Sequence, residues 1–217
     1  MSTDNFRDLI DGYKAFRKTH YANDAGRYRD LATSGQTPRT MVIACSDSRV
    51  DPARIFDARP GELFVVRNVA NLVPPCEAGG VYHGTSAAIQ FAVEMLKVER
   101  VLIMGHARCG GVGAFLEGAA TGRTPDSFIE KWISLLGPAY EALLASGLPE
   151  DQEARQRLME KVSVTQSIEN LLSFPFVQAA VSERNLKLQG GFFDIFTGQL
   201  QLLDPQTNQF APIATET

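Results

Sequence analysis

Along the first stretch of the chain the apolar side chains fall on a helical spacing. Phe6, Leu9, Ile10, Tyr13 and Phe16 recur three or four residues apart, and a second helical stretch runs from Asp24 to Ala32 and stops before Gly35. The period then changes. Thr40 to Ala44 (TMVIA), Glu62 to Val66 (ELFVV) and Arg100 to Met104 (RVLIM) are short continuous apolar runs bounded by polar or turn residues, which predicts strands buried on both faces. Between the second and third lies Val81 to Leu96 (VYHGTSAAIQFAVEML), Ala-rich and helix-compatible, so the order strand, helix, strand predicts parallel pairing. Phe128 to Val181 is mostly helical by spacing, through Phe128, Ile129, Trp132, Leu135 and Leu136 and later Leu158, Val162, Ile168, Leu171 and Leu172. Lys187 to Leu203 predicts a strand, a turn at Thr197 and Gly198, and a final strand. The sum is an α/β domain around a central, largely parallel sheet.

Composition narrows the function. With 217 residues, 44% hydrophobic and 21% charged, the chain has ordinary globular composition and the size of a single domain, residues 1–217. Twenty-one Lys and Arg against 25 Asp and Glu give a net charge of -4, which removes the electrostatic case for a nucleic-acid or polybasic membrane surface. A small uncharged or anionic substrate fits that balance. No run approaches ~18 apolar residues, so no spanning helix is expected. The N-terminal MSTDNFRDLIDGYKAFRKTHYAN mixes charges throughout and lacks an apolar run of signal-peptide length, which makes the cytoplasm the expected location. Thr121 to Asp126 (TGRTPD) reads as a loop rather than a domain joint. Three cysteines, Cys45, Cys76 and Cys109, are too few and odd in number for a disulfide framework and suggest intracellular thiols.

Two segments then break the local pattern. The first strand runs into Cys45-Ser46-Asp47-Ser48-Arg49 and the third into Gly105-His106-Ala107-Arg108-Cys109-Gly110-Gly111. Both sit at the carboxyl ends of predicted parallel strands, where open α/β sheets place their ligands. Cys45, His106 and Cys109 supply two soft thiolates and an imidazole, the donor set of a Zn²⁺ site with a fourth position open. His106 and Cys109 are three residues apart, so one turn of chain can aim both at a point. A lone cysteine is ordinarily a small buried hydrophobe, and Cys76 is read so; His20 and His83, without such company, are read as surface or satisfied histidines. Asp47 and Arg49 form an Asp-x-Arg pair two residues from a candidate thiolate. The carboxylate could fill the fourth metal position, or accept a hydrogen bond from a water there while Arg49 holds it off the metal. GHARCGGVG fits no phosphate-binding loop, having neither G-x-G-x-x-G nor a Gly-Lys-Ser/Thr ending.

Together CSDSR (Cys45 to Arg49), RNVAN (Arg67 to Asn71), GHARCGG (Gly105 to Gly111), the helical SIENLLSFPFV and the late LQGGFFD resemble the β-class carbonic anhydrases over nearly the whole chain from Gly35 onward. The resemblance implies a sheet of about four parallel strands plus an antiparallel C-terminal strand, flanked by helices, with residues 1–34 a helical arm that packs on a partner subunit in a homodimer or larger dimer-based oligomer. It implies reversible hydration of carbon dioxide to bicarbonate and a proton by a zinc-activated hydroxide. One Zn²⁺ per chain would sit on Cys45, His106 and Cys109, with Asp47 and Arg49 as the dyad beside the fourth position. Gln36 matches the substrate-binding glutamine of the plant-type subgroup, Phe64, Val69 and Phe91 its apolar pocket, and Gly110 a further substrate contact. Met95 stands where plant-type enzymes carry a shuttle histidine. Val42 and Phe193 replace the Trp and Tyr of the bicarbonate-regulated bacterial subgroup, and only Arg67 of that noncatalytic site is kept. Two other functions share these residues: hydrolysis of carbon disulfide or carbonyl sulfide at the same zinc, and a catalytically silent zinc-binding assembly protein. Retention of Gln36, Asp47 and Arg49 argues against silence, because structural zinc needs no dyad.

Ligand charge sets the first expectation. Two thiolates cancel the formal charge of Zn²⁺, so the metal polarises water less than three neutral imidazoles do, for which the water pKa is about 7. Stopped-flow hydration rates should therefore climb from neutral toward alkaline pH, and a level profile across that range would reject the two-thiolate assignment.

Overall fold

The apolar runs become the core of a six-stranded sheet. The computed structural model describes residues 6–77, 83–122 and 124–214, and by chain contacts it divides into Met1–Thr37 and Pro38–Thr217. In the first unit, α1 (Arg7–Phe16) passes through a π-helical turn (Arg17–Tyr21) into α2 (Ala22–Ser34), which stops at Gly35 with φ 81°. Its aromatic side chains gather on one another: Tyr21 and Tyr28 stack with centroids 5.0 Å apart, and the Arg17 guanidinium lies over Tyr21 at 4.6 Å. None of the described residues of these helices is buried within the chain.

The second unit carries β1 (Thr40–Cys45), β2 (Leu63–Asn68), β3 (Arg100–His106), β4 (Lys187–Phe193), β5 (Leu200–Asp204) and β6 (Gln209–Pro212), in the spatial order β2-β1-β3-β4-β5-β6. The first four in that order are parallel; β5 and β6 run antiparallel. From β1 the chain crosses to β2 on one side, while from β3 it crosses to β4 on the other, so the switch point of the sheet lies at the carboxyl ends of β1 and β3. Among the described residues seven α-helices accompany the strands: α3 (Pro52–Ile55), α4 (Gly84–Gln90), α5 (Gly110–Thr121), α6 (Phe128–Ile133), α7 (Gly137–Ser146), α8 (Gln152–Leu172) and α9 (Pro175–Arg184). Local chemistry sets their ends. Ser127 and Glu130 form a reciprocal capping box on α6, the Asp151 carboxylate caps α8, and Pro175 opens α9.

Alternation along the strands sorts the core. Met41, Ile43, Val101 and Ile103 pack on one face with Ile89, Leu171 and Val177, while Val42, Ala44 and Met104 pack on the other. Strands β1 and β3 are buried on both faces as expected. Strand β2 is not: it forms the sheet edge, with a neighbour on one side only, and Val65 is 38% exposed. Three further boundaries differ from the pattern reading. Strands β1 and β3 continue through Cys45 and His106, because parallel pairing persists to the strand ends. The 81–96 helix, whose first two residues lie outside the described ones, becomes α4 and a π turn at Phe91–Met95. Strand β6 has too few apolar residues to announce itself, and it forms by pairing with β5.

Helix α8 lies against β3 so closely that one position of the strand admits no side chain. A Cβ on Gly105 would stand 2.6 Å from Val164 Cγ2 and 3.3 Å from the Glu160 carbonyl oxygen, both on α8. Gly105→Ala should destabilise the fold by about 1–3 kcal/mol through overpacking, read as a lower urea midpoint; an unchanged midpoint would mean that the helix can retreat without loss.

Candidate metal centre

Cys45 and His106 are the last residues of two adjacent parallel strands, just past the Ala44 and Met104 level at which those strands pair, so the sheet brings them close together. Cys109 is returned to them by a tight loop. Ala107 is pinned when its N–H donates to the Phe193 carbonyl at 3.0 Å, Arg108 takes a left-handed conformation (φ 55°), and Cys109 becomes the N-cap of α5. The start of α5 closes on the turn after β2. A Cβ on Gly111 would meet Val69 Cγ1 at 2.6 Å and Ala70 Cβ at 3.1 Å, so only glycine permits this approach. Ala70 and Asn71 in that turn are also left-handed, at φ 64° and 51°, a strain of order 1–3 kcal/mol each. The strain aims a donor: the Ala70 N–H points at Cys45 Sγ, 3.4 Å away. Asn68 braces the turn, its side chain exchanging two hydrogen bonds with the Leu72 backbone at 2.8 and 2.9 Å.

The donor atoms of Cys45, His106 and Cys109 lie within 4.8 Å of one another, and all three residues are buried. The two sulfurs are 3.9 Å apart. Two thiolates bound at ~2.3 Å to a tetrahedral Zn²⁺ stand about 3.8 Å apart, so the spacing suits that ion. His106 Nδ1 lies 2.9 Å from the Ala107 carbonyl oxygen, which places the ring proton there and turns the Nε2 lone pair to the sulfurs. Nε2 is buried with no hydrogen-bond partner, an arrangement a metal would satisfy. The pair of sulfurs divides one proton. A hydrogen bond from the Cys109 thiol brings Cys45 down to about 4 against its burial, and the same bond with burial pushes Cys109 far up. Burial lowers His106, but the nearby Cys45 sulfur and its charge outweigh it and the imidazole is raised overall. Backbone N–H groups of Gly111 and Val112 at the start of α5 oppose the upward shift of Cys109.

Beside this cluster Arg49 grips Asp47 at both oxygens, Nε to Oδ1 at 2.9 Å and Nη2 to Oδ2 at 2.7 Å, and its own N–H adds a bond to Oδ1 at 2.9 Å. These bonds hold the Asp47 carboxyl well below the usual carboxylate range. Arg49 also donates to the Arg108 carbonyl at 3.2 Å, joining the two strand-end loops. Arg67, from β2, donates to the Cys45 carbonyl at 3.0 Å and to the Asp47 carbonyl at 2.5 Å.

A carbonic anhydrase family profile matches residues 40–200. The chloroplastic beta carbonic anhydrase 5 of Arabidopsis thaliana is 40% identical over 195 residues, 89% of this chain and 63% of that protein. The chain belongs to the β-carbonic anhydrase family. Among solved structures, one of the two tetrameric β-carbonic anhydrases of Sordaria macrospora superposes with a TM-score of 0.77 at 28% identity, covering 97% of this chain and 100% of that one. The Coccomyxa β-carbonic anhydrase in complex with acetazolamide superposes at 0.80 with 27% identity, covering 97% and 89%.

In this family member the remaining expected residues fall into two groups. Val69 adjoins Ala70 beside the metal donors, and Gly110 is exposed next to Cys109 with open space where a Cβ would be. Phe64 and Phe91 pair with each other, centroids 5.9 Å apart, and not with the cysteines of their own chain. Phe64 lies opposite Met41, four residues before the level of Cys45, or about 13 Å along the strand. Gln36 is exposed within the first unit, and Met95 is 70% exposed. Cys76 corrects the expectation of a buried spare thiol. It is exposed, because it follows Pro74 and Pro75 in a loop outside the sheet, where its N–H donates to Ser173 Oγ at 2.7 Å. Sequence reading missed Gln156 and Glu160, which hold the Cys109 backbone from α8; polar residues spaced four apart on an otherwise core-facing helix were the available signal.

Zn²⁺ at about a thousand times its Kd should add about 4 kcal/mol to the unfolding free energy. Cys45→Ser and Cys109→Ser should lose most of that gain in thermal melts, while Cys76→Ser keeps it; equal gains in all three would place the ion elsewhere.

Proposed function

We propose that the protein is a zinc-dependent carbonic anhydrase that interconverts carbon dioxide and water with bicarbonate and a proton, with Cys45, His106 and Cys109 holding one Zn²⁺ per chain. The observation that carries this reading is the Asp47 carboxylate, clasped at both oxygens by Arg49 beside a group of three buried donors that does not include it. Structural zinc takes four protein ligands, whereas catalytic zinc leaves a position for water. When bound, the metal supplies a Lewis acid that makes a water molecule nucleophilic near neutral pH.

The chain's own residues would then orient the reaction. Held ionised by Arg49, Asp47 can only accept hydrogen bonds; Oδ1 already accepts two from Arg49, whereas Oδ2 accepts one and keeps a lone pair for a further donor. Accepting a hydrogen bond from the attacking O–H, which keeps its proton, Asp47 would turn the oxygen lone pair toward the substrate carbon. Because the folded-state pKa is depressed, this ionised form and the stability it contributes persist above the ordinary carboxylate range and fail only as pH falls through the lowered value. Carbon dioxide is linear and without a dipole, so its pocket needs apolar walls and few donors. Val69 suits one wall, Gly110 leaves room beside Cys109, and Gln36 is the proposed donor to a substrate oxygen.

Phe64 and Phe91 are proposed to line the pocket of a second copy in a homodimer or dimer-based oligomer. Their distance from the cysteines of their own chain supports this, as does the exposure of Phe91 (45%), Phe6, Leu9, Ile10 and Tyr13. Tetrameric relatives from Sordaria macrospora fit the same reading. A reducing compartment is proposed, the cytoplasm being the expected one, because sulfurs 3.9 Å apart must stay reduced to hold a metal. No helix among the described residues is long and apolar enough to cross a membrane, and the acidic balance suits no nucleic acid.

Asp47→Asn and Arg49→Ala should retain zinc by elemental analysis yet lose hydration activity by about 10²–10⁴-fold, the range for a positioned proton-handling group. Loss of metal in both variants would instead make the pair structural.

A further inference from the structure

Glu160 is a carboxylate that the reaction does not use, yet it is among the most buried polar side chains of the chain, 2% exposed. Burying a carboxylate is costly, and a carbonyl or amide oxygen could satisfy a backbone N–H at less cost. Its partner explains the choice. Glu160 Oε1 accepts the N–H of Cys109 at 2.8 Å and so anchors the backbone of a candidate metal ligand, although burial raises this carboxyl's pKa. One turn earlier on α8, Gln156 Nε2 donates both to Glu160 Oε1 at 3.0 Å and to the Cys109 carbonyl at 3.3 Å. Two side chains of one helix thus hold both backbone groups of one residue.

That residue ends a loop under strain. Between His106 and Cys109 the chain passes through Arg108 at φ 55°, a conformation that a bulky side chain adopts only when its surroundings impose it. On the His106 side the loop is pinned by Ala107 to β4. On the Cys109 side the pin is Glu160, and the helix carrying it is itself fixed, since Gly105 leaves no slack between β3 and the Glu160 backbone. Without that carboxylate the Cys109 N–H becomes a buried donor with no acceptor, and relaxation of Arg108 would carry Sγ away from Cys45 and His106 Nε2.

Building on the metal-centre reading above, we propose that Glu160, seconded by Gln156, is a positioning residue that holds the 106–109 loop in its metal-binding shape before any metal arrives. Preorganisation of this kind appears as metal affinity and coordination geometry.

The test is zinc affinity by competition with a chromophoric chelator, together with the thiolate-to-metal and ligand-field absorption of the Co²⁺-substituted protein. Glu160→Ala should bind zinc about 10–100-fold more weakly and show weakened or shifted cobalt bands, with far-ultraviolet circular dichroism unchanged. Glu160→Gln, which keeps an acceptor oxygen in place, should recover most of the affinity and the cobalt spectrum. Native affinity and spectrum in Glu160→Ala would overturn the proposal, as would a Gln variant no better than the Ala variant. If Glu160→Ala does not fold, Gln156→Ala carries the test: a smaller loss in the same direction is expected, and unchanged affinity overturns the role. Failure of the unaltered protein to take up zinc would sink the functional reading as well, whereas native affinity in the variants sinks this inference alone.

Discussion

Two buried sulfur atoms 3.9 Å apart, facing an imidazole nitrogen with no hydrogen-bond partner, impose a demand that the surrounding protein groups do not meet by themselves. Both thiols cannot ionise at that distance without a cation, so one sulfur keeps the proton and donates it to the other. A divalent metal would resolve the conflict by taking the place of that proton, which would make metal uptake and proton release two sides of one event. Much of the local strain answers to this arrangement. The left-handed turn at Ala70 and Asn71 aims an N–H at Cys45, Gly111 lets α5 close on that turn, and left-handed Arg108 returns the chain so that Cys109 meets His106.

Strain at three non-glycine residues persists only where the surroundings over-determine it, and α8 supplies much of that restraint. Gln156, Glu160, Ser163, Ser167 and Asn170 follow one another at intervals of four and three, a polar stripe on a helix whose Met159, Val164 and Leu171 are fully buried. The upper part of the stripe holds Cys109. Lower down, Asn71 Nδ2 donates to Ser163 Oγ, Ser167 Oγ donates to the Asn71 carbonyl while accepting the Val73 N–H, and Asn170 Nδ2 donates to the Val73 carbonyl at 2.8 Å. One helix therefore serves both turns that surround the donor atoms. Its buried polar groups form a connected, largely satisfied network, the condition under which such groups specify one arrangement rather than weaken the core.

The parts of this design that were legible in the sequence are those encoded by neighbours along the chain. Continuous apolar runs announced β1 and β3, and the Cys and His at their ends announced the donor set, because strand identity and strand-end chemistry are local. Strand β2 was read as buried on both faces since its residues are as apolar as those of β1; being the edge is a property of strand order, which no window of sequence contains. Strand β6 owes its form to β5, and the exposure of Cys76 to the path of a proline-bearing loop. The polar stripe of α8 was hidden for a different reason. Its spacing is helical, but a pattern of polar residues ordinarily marks the solvent face, and only the packing of α8 on β3 and β4 turns it inward.

The two strand-end loops are restrained by the same kind of contact from opposite sides. Strands place Cys45 and His106 rigidly, since each is fixed by the sheet ladder to its last residue. Asp47 and Cys109 lie beyond the ladder, so their backbones need partners from elsewhere. Arg67 reaches from β2 to the carbonyls of Cys45 and Asp47, and Glu160 reaches from α8 to the N–H of Cys109. The first restraint is a guanidinium on carbonyls and the second a buried carboxyl oxygen on an amide N–H. Cationic Arg67 and Arg49 both act on the loop that carries Asp47: Arg49 holds its carboxyl well below the usual carboxylate range and spans to the Arg108 carbonyl, which ties this loop to the one that carries Cys109.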